Sequence, residues 1–328
     1  TTGSGNVAIG DYSLDANTTA AYNTAVGYAA LGANTTGASN VAVGKSSLLL
    51  NTTGGGNTAV GTAALDAATT ADGNTAVGVN AGSAVTTGAS NTTVGQNSLL
   101  ANTTGTMNAV LGNHALDANT TGSYNTAIGG LALSTNTTAS NNVAVGYAAL
   151  HLNTTGTGNI GVGNYSLDAN TTANYNTAIG DYALSENTTG AENTSVGKNS
   201  LDANTTGSYN TASGYNSLSS NTTADKNVAF GYYALNINTT GANNTALGTQ
   251  ALQLNTTGAS NVAVGAYALD ANTTGDLNTA LGYQALTTNV DGDRSTAVGY
   301  QALYSQEPAS NVDMYNVMMG HIAGHGLT

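Results

Sequence analysis

Asn40-Val41-Ala42-Val43-Gly44-Lys45-Ser46-Ser47-Leu48-Leu49-Leu50-Asn51-Thr52-Thr53-Gly54-Gly55-Gly56 is the stretch whose reading decides the fold. Its pattern returns every 17 residues along almost all of the 328-residue chain. Gly44 is preceded by Gly27 and Gly10 and followed at the same spacing as far as Gly299, eighteen rungs with no insertion. Rungs are numbered here from Asn6, so that Asn40 is position 1 of the third. Position 1 is Asn in seventeen rungs, position 9 is Leu in all but the rung of Gly82, and position 12 is Asn in fifteen. Position 4 is Val, Ile, Leu or Phe except at Ser213, and positions 3 and 8 are small.

A helix reads poorly over this unit, since Gly, Asn and β-branched Thr are weak helix formers. Positions 2 to 4 read as a strand, in which 2 and 4 share one face and 3 points to the other. Gly10, Gly27 and Gly44 at position 5 mark corners that need permissive backbone. Two short strands and two turns then close one coil. The expected fold is all-β: a parallel β-solenoid, or β-roll, of 18 coils of 17 residues. At a strand spacing of ~4.8 Å, eighteen coils span roughly 85 Å. The predicted core is Val or Ile at position 4, Leu at position 9 (Leu14, Leu31) and the methyls of position 2. Asn17 and Asn34 at position 12, with the Asn at position 1, are read as side-chain ladders bonding rung to rung. Stacking buries what no single coil can bury.

Composition removes several functional classes. Net charge is −13, with only four Lys or Arg, which argues against nucleic acid. No apolar run is long enough for a membrane-spanning helix, so no membrane insertion is expected. Cysteine is absent. Residues 1–303 form the repeat array, with a partial rung at 1–5 and full rungs from 6. Residues 304–328 read as a degenerate rung and a transition to a further region, the strand motif restarting four residues late at Asn316. The array begins inside a rung, so an N-terminal continuation or an end-to-end stacked copy is expected.

Asn6-Val7-Ala8-Ile9-Gly10 and Asn40-Val41-Ala42-Val43-Gly44 resemble the strand motif of trimeric autotransporter adhesin heads. The longer unit at Asn278-Thr279-Ala280-Leu281-Gly282-Tyr283-Gln284-Ala285-Leu286 is similar to repeat arrays in phage tail-fibre-like proteins. The resemblance implies a side-by-side homotrimer; the adhesin heads use a shorter unit. The Ala columns at positions 3 and 8 are open to two readings: a smooth outward strip for a partner chain, or an inward strip that lets thin walls pack.

No catalytic, cofactor or metal constellation is visible. His114 and His151 lie on different rungs, and His321 and His325 lie in the tail. Asp15, Asp66, Asp117 and Asp168 recur at position 10 three rungs apart, ~14 Å along the axis, too far to share a Ca²⁺ ion. Asp291 and Asp293 are a Ca²⁺ hint without the rest of a loop. Tyr28, Tyr147, Tyr215, Tyr232, Tyr283 and Tyr300 at position 6 form a candidate surface-binding edge, for glycan or a host protein, or a seam between chains. Asn-Thr-Thr is a glycosylation sequon in most rungs or, alternatively, a turn ladder that needs the same residues. The expected function is a non-catalytic structural or adhesive segment, shaft or head, of an extracellular fibre on a cell surface or virion. The alternative is a ligand-binding solenoid that recognises ice or glycan surfaces.

Overall fold

The computed structural model describes residues 2–306 and 312–327. The chain is a parallel β-solenoid of about eighteen coils, with no helix among the described residues. It divides into two units, Thr1–Asn164 and Tyr165–Thr328. The first holds ten three-residue strands, from Val7–Ile9 to Ile160–Val162, and the second nine, from Thr177–Ile179 to Val317–Met319.

Within each unit successive strands pair in parallel, in a register of 17 residues as far as Thr296–Val298. Thr24 lies beside Val41 and Val26 beside Val43; Thr177 lies beside Thr194 and Ile179 beside Val196. Stacked glycines join the rungs, Gly27 N–H donating to the Ile9 carbonyl and Gly44 N–H to that of Val26, both at 2.8 Å. Only one strand forms per coil, not two: positions 6 to 11 form turns in register. Those turns still bond rung to rung, as where Leu31 N–H donates to the Ser47 carbonyl at 3.0 Å. Position 5 accepts only glycine: Gly27 has φ 135°, and a Cβ there would lie 2.6 Å from the Gly44 carbonyl oxygen.

The predicted inside and outside of the strand are exchanged. Position 3 points in, with Ala25, Ala42, Ala59 and Ala76 fully buried, and positions 2 and 4 point out. The rung at Asn108 makes the inversion plain, since Val110 at position 3 is 3% exposed and Leu111 at position 4 is 51% exposed. The reason is room. The position 9 Leu, the small side chains of positions 3 and 8, and the two Asn of each rung already fill the interior. No space is left there for two branched side chains per strand. The position 3 and 8 columns therefore take the inward of their two readings.

The Asn ladders form as expected. At position 1, Asn40 N–H donates to Asn23 Oδ1 at 2.8 Å, and Asn40 Nδ2 donates to the Gly54 carbonyl at 2.9 Å. At position 12, Asn51 Nδ2 donates to Asn34 Oδ1 at 2.8 Å and to the same Gly54 carbonyl at 2.9 Å. Two amides thus close a coil onto one backbone oxygen wherever position 12 is Asn, and buried polar groups tolerated at this density need such partners. Thr35 Oγ1 adds a bond to the Thr52 carbonyl at 3.0 Å.

The rung of Gly82 departs from the pattern and repairs itself by volume. Where Leu is missing, Val85 replaces the position 12 Asn and is buried, and Thr93 replaces Ala at position 3 of the next rung. The Thr93 hydroxyl meets Ser98 Oγ at 2.6 Å. Towards the C-terminus Val317–Met319 pairs with Thr296–Val298 at an offset of 21 residues. The strand stack therefore continues past the four-residue delay at Asn316. Gln306 stands in for Asn at position 12, its Nε2 donating to Asn289 Oδ1 at 3.2 Å. Glu307 and Pro308, which follow it in the sequence, lie outside the described residues.

Candidate functional site

No cavity opens among the described residues, and the groups described next lie on exposed faces. Four such faces follow from the rung geometry: the position 6 and 7 edge, the Thr column at position 14, the Asp row at position 10, and the outward strand face.

The Tyr edge stands where it was predicted, beside the first corner, but in clusters rather than one row. Tyr215 and Tyr232 stack at 5.7 Å and 16°, with Tyr233 set edge-on 4.4 Å from Tyr232. Tyr283 and Tyr300 stack at 5.5 Å and 14°, and His321 continues that stack at 5.1 Å. Tyr28 meets Tyr12 edge to face at 5.6 Å. Tyr147 is exposed as well, seven rungs from Tyr28. Rung spacing dictates these contacts, because residues 17 apart are held about one strand spacing from each other. Much of each stacked ring's face is turned to its neighbour, and Tyr215, Tyr232, Tyr283 and Tyr300 remain 42–52% exposed.

The Asn-Thr-Thr turns are ladders in this fold. Asn34, Asn51 and Asn102 are fully buried, and the amide nitrogen that a sugar would replace is spent on hydrogen bonds. Thr36, Thr53 and Thr104 at position 14 are exposed beside them. The Thr of position 13 turns its hydroxyl onto the next rung's carbonyl, so a single outward Thr column remains.

Position 10 carries half-buried carboxylates. Burial pushes the Asp202 and Asp270 carboxyls up to about 6, against backbone N–H bonds from Ala203 and Ala271, and the Glu186 charge adds to the rise at Asp202. Burial raises Asp66 as well. His114 Nδ1 pairs with Asp117 Oδ2 at 2.8 Å, and His151 Nδ1 with Ser134 Oγ at 2.7 Å. His325 stacks on Tyr304. Asp293 forms an isolated parallel bridge with Asp313, which is held by Arg294. Among the described residues no group of three His, Cys, Asp or Glu is placed to hold a metal ion.

The outward strand face was missed by sequence reasoning, which turned it inward. Ile128, Leu111, Ile179, Phe230, Leu247 and Leu281 stand 39%, 51%, 42%, 42%, 48% and 46% exposed on it. Alternation gave the correct grouping of positions 2 and 4. The signal that picks the buried member was the near-invariance of Ala at position 3, set against the size variation at position 4.

No protein-family model matches the chain, and comparison with curated proteins finds no match. What the fold itself defines is a class: a tandem-repeat parallel β-solenoid rich in Asn and Thr.

Proposed function

We propose that this chain is a non-catalytic structural or adhesive segment of an extracellular fibre, the shaft or head of a tail-fibre-like or surface adhesin protein. It works side by side with copies of itself, as a homotrimer, on a cell surface or virion. The observation that carries this reading is the redundancy of rung-to-rung bonding. Within each unit successive coils are tied by the strand, by turn amides, by two Asn side chains and by a Thr hydroxyl. Such a stack resists bending and proteolysis because stability is shared between nearest neighbours along its length. Negative-stain electron microscopy of the full chain is expected to show straight rods. Flexible or globular particles would overturn the reading.

A second reading, a solenoid that recognises ice or glycan, draws on the exposed Thr column at position 14 and the Tyr clusters of position 6. The Asn-Thr-Thr turns offer one outward file of hydroxyls and not a plane, and the outward Thr of position 2 are interrupted by Val, Ile and Ala, which favours the fibre. Thermal hysteresis of the chain at micromolar concentration decides for ice, and a glycan array decides for the Tyr edge.

A further inference from the structure

An exposed uncharged stripe runs along the strand face of each unit, Thr in eleven of eighteen rungs at position 2 and apolar at position 4 except at Ser213. Its two columns, positions 2 and 4, hold Thr, Val, Ile, Leu and Phe in almost every rung. None of the four Lys or Arg and none of the seventeen Asp or Glu falls at either position. The charges sit instead at the corners and turns, as Lys45 and Asp181 at position 6 and Asp202 at position 10 do. At ~4.8 Å per rung and about 10 Å of width, each unit presents roughly 450 Å² of this face. On each unit that is about half of the roughly 800 Å² per partner of a stable protein interface, and exposed uncharged patches beyond a few hundred Å² mark contact sites.

We propose that this face docks on a second copy of the same chain. The proposal rests on the side-by-side assembly above and names its seam. An uncharged ridge of branched side chains has as its natural complement another apolar ridge. A second copy supplies one with the same 17-residue spacing, so side chains interdigitate rung for rung. The chain's excess negative charge stays off the seam, where like charges would oppose association. The Ala columns cannot serve as the seam, because they are buried within each coil. An ordered-water surface fits less well, because Leu111, Phe230 and Leu247 stand out from a row of Val and Thr.

Sedimentation of the full chain tests this. The unaltered chain is expected to run as an oligomer. The variant Leu111→Glu, Ile179→Glu, Leu247→Glu is expected to run as a monomer with unchanged circular dichroism. The control Thr104→Glu, Thr189→Glu, Thr240→Glu, on the opposite exposed column, is expected to keep the oligomer. An oligomer that survives the strand-face variant, or dissociates in the control, overturns the seam and leaves side-by-side assembly standing. A monomeric unaltered chain overturns both. Should the Glu variant lose its fold, Leu111→Ala, Ile179→Ala, Leu247→Ala decides: association about tenfold weaker supports the seam, and unchanged association overturns it.

Discussion

Leu31, Leu48 and Leu65 sit at φ of 51°, 49° and 51°, in the left-handed region that an ordinary side chain avoids. So do Ala29 at position 7 and Ser39 at position 17, which makes three such positions in most rungs. Each costs about 1–2 kcal/mol in isolation, and each is held because its amide is bound to a neighbouring rung, as Leu48 N–H is to Ala64. Strain of this kind persists only where the surroundings over-determine it. Position 17 faces solvent and in the rungs of Gly56, Gly73 and Gly158 is already glycine. Ser260→Gly, at φ 59°, should therefore stabilise by a few tenths to about 1 kcal/mol, the relief exceeding glycine's entropy. Gly27→Ala should destabilise by about 3 kcal/mol or more, from its backbone clash and strained φ together. Thermal melts of the two variants should move in opposite directions.

At the scale of the element, each ladder is only as good as its continuity. Ala68 and Val85 interrupt the position 12 Asn column, and Asn51 Oδ1, which should accept from the rung above, is buried without a partner. Elsewhere in the ladder that oxygen accepts from the next amide, at 2.7 Å for Asn238 from Asn255 and 3.1 Å for Asn221 from Asn238. Ala68→Asn would supply the missing donor and also reach the Ala71 carbonyl, the acceptor that corresponds to Gly54. The variant should gain about 1 kcal/mol, the usual net value of a hydrogen bond that relieves a buried orphan. Urea melts that show no gain would mean the Gly82 and Val85 repair has already consumed the space.

For the whole molecule, the half-buried carboxylates set a pH dependence with a definite sign. The folded pKa of Asp202 and Asp270 lies near 6, raised by burial from 3.8. The native state therefore binds more protons than the unfolded chain between those values. Stability is full below the unfolded pKa and is lost as pH rises through about 6. Solvent screening at these sites holds the effect to about 1 kcal/mol each. The melting temperature should be higher at about pH 4.5 than at neutral pH, and the double variant Asp202→Asn, Asp270→Asn should flatten much of that slope. An equal slope in the variant would assign it to the chain's general excess of negative charge.

The 17-residue spacing of glycine, Leu and Asn was enough to read a stacked parallel solenoid, its register and its amide ladders, because in a solenoid every repeated residue meets its own copy one turn away. The Tyr edge was legible for the same reason. Which side of the strand faces in was not legible: alternation groups Thr24 with Val26 and sets Ala25 apart, and by hydrophobicity alone the branched pair belongs inside. Only the closed coil decides, since its bore admits one Leu, two small side chains and two amides, and leaves Val26 at the surface. The left-handed backbone at Leu31 and the burial of the Asn34 amide were likewise decided by tertiary structure, because both depend on hydrogen bonds made to a neighbouring turn.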